Sequence, residues 1–186
     1  NALEGTPMEL ARDIFETNTL GTMAMTQAVL PQFRQRRSGV VVNVTSSVTL
    51  KPLPLLSVYT ASKHAVEGLT RSVALETARS GVRVNAVAPG WVASSGLDNY
   101  DESFQKEFIP KLRSQVPLQR LAEEAEISAP IVFLLSPAAG FVTGQCIAID
   151  GGASRNTKLF PLSGGANSKP YDGFHRAVRP KVLDKF

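Results

Sequence analysis

Apolar and polar positions alternate in runs that separate helices from strands along the chain. Leu10, Ile14, Phe15, Leu20, Met23, Met25, Val29, Leu30 and Phe33 recur at a roughly helical period, so residues 7–36 are expected to form one long helix. Thr6 is placed to cap it, with Pro7 at the first helical position and Glu9 in a capping-box relation. Asn18 and Gly21 interrupt the apolar stripe, and Pro31 should kink the helix or mark its last turns. Ser38-Gly39 is a stop signal, and the β-branched run Val40–Val44 that follows suits a strand buried on both faces, as in a parallel sheet. Pro52 and Pro54 place a loop over 48–57. A second long helix is expected over 58–79, with Ala61, Ala65, Val66, Leu69, Val73 and Ala74 on its apolar face.

Gly81 should end that helix, and Val82–Ala88 reads as a second buried strand stopped by Pro89-Gly90. Helices are expected near 101–114 and 123–135, the latter closed by Ser136-Pro137, and a third strand at 145–150 ended by Gly151-Gly152. Strand and helix alternate, which is the α/β pattern of a parallel sheet with helices on both faces. Residues 153–186, rich in Gly, Pro, Ser and Lys, look like an irregular tail.

Composition narrows the function classes. The 186 residues are 43% hydrophobic and 19% charged, as in an ordinary globular domain. One cysteine, Cys146, excludes an intramolecular disulfide and any cysteine-rich metal site, and suits a reducing, cytoplasmic setting. As a strand residue it is expected to be a small buried hydrophobe. Two histidines, His64 and His175, are too few for a histidine metal centre without help from carboxylates, and no metal is expected. No apolar run is long enough to span a bilayer. The net charge of +4 gathers in Arg34, Arg36, Arg37 and the tail, where Arg155, Lys158, Lys169, Arg176, Arg179, Lys181 and Lys185 lie. No aromatic interleaving or nucleic-acid motif accompanies them, so they read as solvated surface rather than a nucleic-acid site.

The chemistry centres on Ser57-Val-Tyr-Thr-Ala-Ser-Lys63. Tyr59 and Lys63 are four residues apart, which on a helix puts both on one face. A free phenol, with a pKa of about 10, is a poor base at neutral pH, and a neighbouring ammonium favours its ionised form. In open α/β sheets ligands bind beyond the C-terminal strand ends. Ser46 sits just past the first strand, Gly90–Ser94 past the second, and Tyr59 and Lys63 open the helix after the first.

These features together resemble the short-chain dehydrogenase/reductase family over about residues 7–152. The matching motifs are Asn18-x-x-Gly21, Asn43-Val-Thr-Ser46, Tyr59-Thr-Ala-Ser-Lys63, Arg83-Val-Asn-Ala-Val-Ala-Pro-Gly90, Val142-Thr-Gly144 and Asp150-Gly-Gly152. The resemblance implies a hydride transfer between a nicotinamide cofactor, NAD or NADP, and a small-molecule alcohol or carbonyl. Tyr59 would be the general acid/base, Lys63 would ease the loss of its proton and bond the nicotinamide ribose, and Ser46 would hold the substrate oxygen. Asn18 would complete a proton relay through water to Lys63. Tyr59 and Lys63, with Pro89, Gly90, Val92 and Ser94, would contact the cofactor; the family usually has Thr where this chain has Ser94. Trp91 and Tyr100 fall in the variable substrate loop and either line the substrate pocket or pack in the core. His64 has no catalytic role on this reading. The tail around Lys169-Pro-Tyr-Asp-Gly-Phe-His175 is similar to that of citronellol/citronellal dehydrogenase members, which points to a hydrophobic alcohol or aldehyde. The family's long helices pack against partner subunits, which implies a homo-oligomer.

The family's opening strand, its glycine-rich phosphate turn and its further βα units have no counterpart here. The expected fold is therefore a partial Rossmann-like, doubly wound parallel sheet lacking the N-terminal dinucleotide-binding half. Residues 1–152 would be its catalytic half and 153–186 the tail. The strand Val40–Val44 should have a neighbour on one side only, an exposed edge open to strand addition. A truncated sequence, or one completed by another chain, is the expectation; the alternative to an enzyme is a non-enzymatic remnant or scaffold subunit that keeps the fold.

Overall fold

The computed structural model describes residues 2–157, 164–165, 167–174 and 180–184. His175 and the tail cations Lys158, Arg176, Arg179 and Lys185 lie outside the described residues. The chain divides into two compact units, Asn1–Ala88 with Ile131–Ala148, and Pro89–Pro130 with Ile149–Phe186.

The first unit opens with a helical run in three parts: α1 (Met8–Phe15), a π-helical turn (Glu16–Leu20) and α2 (Gly21–Arg36). The expected single helix is thus continuous but widened at the interruption the sequence marks. The N–H of Gly21 reaches back five residues to the Glu16 carbonyl, and this wider turn carries Asn18. The expected capping box does not form. Pro7 is the cap residue, and the Thr6 hydroxyl donates backwards to the Ala2 carbonyl at 2.9 Å. Pro31 falls in the last turns of α2, as expected, and the helix stops after Arg36, where Arg37 turns left-handed.

Strand β1 (Gly39–Val44) pairs in parallel with β2 (Val82–Pro89), Gly39 opposite Val82 and Val44 opposite Val87. Between them runs α3 (Ser57–Thr77), followed by a 3₁₀ turn and by Gly81 with φ +70°. A Cβ at Gly81 would also run into the Arg37 carbonyl oxygen, so glycine is required twice over. The third strand, β5 (Cys146–Ile149), lies on the far side of β2, giving the order β1-β2-β5. Bonds from Ala86 N to Gln145 O (2.7 Å) and from Gly90 N to Ile149 O (2.9 Å) advance together along both strands, as in a parallel ladder.

Side chains of β2 alternate between the two faces. Val82 and Val84 join Val73 and Ala74 of α3 in a core against which Leu30, Phe33, Val41 and Leu69 pack. Arg83 and Asn85 serve the opposite face. Arg83 donates to the carbonyls of Leu134 (2.8 Å) and Ser136 (3.0 Å), satisfying the last turn of α5 (Glu124–Leu135). Asn85, fully buried, donates to Val142 O and accepts from Gln145 N, which seats the chain entering β5. The Arg-Val-Asn of the sequence motif is therefore structural. As expected, β1 is an edge strand; beside it opens a groove of about 480 Å³ between Thr17, Met25 and Val29 of the first helical run and Val42 and Val44.

The second unit has shorter elements. A two-residue parallel pair, β3 (Val92–Ala93) with β4 (Ala122–Glu123), escapes sequence reading because two residues carry no period. Helix α4 (Glu102–Gln115) is capped by Asp101, whose carboxylate accepts from Phe104 N at 2.8 Å. Ala93, Ile109, Leu112, Leu121 and Val182 form the core. The tail is not wholly irregular: it contains 3₁₀ turns at Ala153–Arg155 and Lys181–Asp184. Asp98 accepts from the backbone N–H of Lys181 (3.1 Å) and of Val182 (2.8 Å), which fixes Val182 in the core.

Candidate active site

Three of the residues singled out by sequence, Asn18, Tyr59 and Lys63, are linked in the first unit around the start of α3. Lys63 projects from the second turn of α3, half-buried, and its Nζ donates to the Val44 carbonyl at the end of β1 at 3.1 Å. The same ammonium lies 5.7 Å from the centre of the Tyr59 ring. Burial lowers the Lys63 pKa from its ordinary value, since a partly desolvated cation is disfavoured. One of its three N–H donors is spent on Val44, so two are left for other oxygens.

Ser46 lies two residues past the end of β1 and caps a 3₁₀ turn, where its Oγ accepts from Val48 N at 3.4 Å. Accepting that bond leaves the hydroxyl proton of Ser46 to donate elsewhere. Asn18 sits on the π turn and its Nδ2 donates to Ser62 Oγ at 3.1 Å. Ser62 in turn donates to the Tyr59 carbonyl at 2.7 Å, and its own carbonyl accepts from Thr19 Oγ1 at 3.1 Å. The widened turn therefore aims two consecutive side chains, Asn18 and Thr19, at one buried serine between Tyr59 and Lys63. Ser62 was given no role from sequence. The available signal was a hydroxyl three residues after Tyr59 on an otherwise apolar helix face.

His64 is exposed, its Nδ1 3.0 Å from the Thr60 carbonyl, on a different face from Lys63. Cys146 corrects its expectation. It is half-buried rather than a buried hydrophobe, and its sulfur meets two polar groups, Thr45 Oγ1 and Glu67 Oε1.

In the second unit, the expected cofactor segment Pro89–Ser94 runs from the end of β2 through β3. Gly90 passes so close to Asp150 that a Cβ would lie 2.7 Å from the Asp150 Cβ, which explains the glycine. Val92 is held in the β3–β4 pair, and Ser94 precedes a 3₁₀ turn without its side chain capping it. Trp91 packs against the Ile109–Leu112 core and also borders a cavity of about 110 Å³ with Val116, Arg120 and Asp150. Tyr100 is exposed and stacks on Phe104 at 4.6 Å. Among the described residues no group of three His, Cys, Asp or Glu side chains could hold a metal.

The family model described as enoyl-(acyl carrier protein) reductase matches residues 1–154. The chain belongs to the short-chain dehydrogenase/reductase family. An uncharacterized oxidoreductase of Thermotoga maritima is 39% identical over 139 residues, 74% of this chain and 55% of that protein. The 3-oxoacyl-[acyl-carrier-protein] reductase FabG of Staphylococcus epidermidis is 36% identical over 140 residues, 75% of this chain and 56% of the relative. The acetoin dehydrogenase structure from Enterobacter cloacae superposes with a TM-score of 0.75 at 33% identity, covering 86% of this chain and 62% of that one. The structure of ElxO with NADP bound gives 0.74 at 31% identity, covering 84% and 62%. The short-chain dehydrogenase/reductase chain described here thus spans about half the length of the curated relatives it matches. Its α/β fold with a parallel sheet matches the solved structures, and the sheet is partial in this chain.

Proposed function

We propose that the intact protein is an NAD(P)-dependent oxidoreductase that interconverts an alcohol and a carbonyl, with Tyr59 as general acid/base. The observation that carries this is the Lys63 ammonium. It is anchored on the Val44 carbonyl in a half-buried position, 5.7 Å from the centre of the Tyr59 ring, instead of extending into solvent. In the oxidation direction the substrate O–H proton passes to Tyr59 Oη as the C–H bond breaks, and the bound nicotinamide would take the hydride. Ser46 holds the substrate oxygen with the hydroxyl proton its turn leaves free. Lys63 stabilises the ionised phenol, and its two remaining donors suit ribose hydroxyls. Asn18, fixed on Ser62 beside Lys63, supports a water-borne proton relay from that lysine.

Pro89, Gly90, Val92 and Ser94 are assigned to the nicotinamide by the same reading, and ElxO with NADP bound supports the choice of cofactor class. Residues 1–152 would carry this chemistry and 153–186 the tail. A hydrophobic alcohol or aldehyde suits the tail's similarity. Within the second unit Pro170–Phe174 and Leu183 close a cavity of about 320 Å³ against Ala93 and Glu123–Ala125. Exposed Leu20, Met23 and Met25 on the first helical run and Leu75 on α3 support assembly as a homo-oligomer. No described helix is long and apolar enough to cross a membrane, and a cytoplasmic setting suits the single cysteine.

A second reading, a catalytically silent subunit that keeps the fold, is favoured by the open edge of β1 and its groove. Tyr59→Phe in the full-length protein separates the two. General acid/base groups contribute about 10²–10⁴-fold, so turnover should fall by at least about 100-fold with folding retained. Unchanged turnover in the variant, or none in the parent with any alcohol or aldehyde tried, would count against the enzyme.

A further inference from the structure

The end of β1 is tied to one face of α3 at three successive residues. Asn43 Nδ2 donates to Thr70 Oγ1 at 2.9 Å. The Val44 carbonyl takes the bond from Lys63. Thr45 is reached through an intermediary: its Oγ1 lies 3.4 Å from Cys146 Sγ on β5, and that sulfur lies 3.4 Å from Glu67 Oε1. Lys63, Glu67 and Thr70 are spaced four and three residues apart, so they continue the helix face that begins with Tyr59. The Lys63 link belongs to the proposed chemistry; the bridge through Cys146 has no part in it so far.

Proton counting shows what the bridge requires. Glu67 is 5% exposed, and a carboxylate that deep needs partners for both oxygens. Arg71 takes Oε2 at 2.8 Å, which leaves Oε1 for the thiol. The Val87 carbonyl receives both the Thr45 N–H at 2.8 Å and the Thr45 hydroxyl at 3.0 Å, and the hydroxyl oxygen also lies 3.4 Å from the sulfur. The thiol proton goes to Glu67, whose carboxylate is the stronger of the two acceptors beside the sulfur. Burial pushes the Cys146 thiol pKa up and the Glu67 charge adds to the effect, so the donor proton stays in place at neutral pH.

Thr45 is the residue before Ser46, and Glu67 is one turn beyond Lys63. We propose that Cys146 and Glu67 are positioning residues, whose Thr45–thiol–carboxylate bridge holds Ser46 in register with the Tyr59–Lys63 pair. The proposal rests on the acid/base reading above, but the bridge itself can be tested without it.

Cys146 is the chain's one cysteine, so the S–H stretching band in the infrared spectrum belongs to it alone. Glu67→Ala is expected to move that band to higher frequency, and Glu67→Gln, which keeps an accepting oxygen, to restore most of the shift. An unmoved band in Glu67→Ala overturns the bridge whatever the activity. In the full-length protein, Cys146→Ala should lower kcat about tenfold with KM changed less than about twofold, and Cys146→Ser should recover most of the loss; misplacement of about 1 Å is worth up to about 100-fold. Full kcat in a folded Cys146→Ala protein, or equal losses in the Ala and Ser variants, overturns the positioning role. Tyr59→Phe run alongside judges the acid/base reading separately: if it keeps full turnover that reading fails, while the infrared result still decides the bridge.

Discussion

The two units of the molecule spend their buried polar groups in different ways. In the first, Asn43, Thr45, Ser62, Glu67 and Thr70 all lie on or beside regular elements, and their bonds run from α3 and the π turn to the end of β1. In the second, the polar groups tie irregular chain together. Arg120 grips Glu126 with two bonds of 2.6 and 2.7 Å and also reaches Ser168 and the Lys169 carbonyl. Gln105 gathers the carbonyls of Leu97 and Tyr100, and Asp98 holds the turn at Lys181. Groups mounted on a helix and a strand keep their geometry through the backbone ladder, which suits a site where ångström placement matters. Groups that staple loops set stability instead, and leave the segment between them free to differ among relatives.

That contrast can be broken by substitution. The largest effect on stability is expected from Arg120→Ala, which leaves Glu126 with its two strongest donors removed while both side chains are less than one-fifth exposed. Breaking such a pair from one side costs about 3–5 kcal/mol. Hydrogen exchange should show faster opening confined to the second unit, with α3 and β1 amides unchanged; equal loosening of both units would erase the distinction. Gly90→Ala comes next. The added methyl has to displace Asp150, and overpacking of this kind costs about 1–3 kcal/mol, read from the denaturation midpoint.

The smallest and sharpest test concerns Lys63. Its folded pKa lies below 10.5, so in the window between that lowered value and 10.5 the unfolded chain holds more protons and stability rises with pH. At neutral pH both states are charged and the burial penalty is felt in full. Lys63→Met removes the penalty, so the variant should gain stability relative to the parent at neutral pH, and the gain should shrink as pH approaches 10.5. A gain independent of pH would mean that packing, not charge, is responsible.

The sequence made the regular part of the architecture legible because its signals are local. Val82–Ala88 reads as a buried strand from its own composition, and Gly81 announces the turn before it through a conformation other residues resist. Tyr59 and Lys63 declare their shared face by spacing alone. The local signals failed where two chemistries compete at one residue. Thr6 and Glu9 have the right types for a capping box, yet the Thr6 hydroxyl finds the Ala2 carbonyl first.

By itself the sequence determined the strand–helix alternation, the family, and the shared helix face of Tyr59 and Lys63, because period, turn residues and spacing are properties of neighbours in the chain. Only the tertiary structure decided that Asn18 speaks to Ser62, that Lys63 leans on Val44, and that Cys146 on the third strand joins Thr45 to Glu67. Those partners are 44, 19, 101 and 79 positions apart. Hydrogen bonds over such distances exist only after the strands have found their register, so no local pattern can encode them.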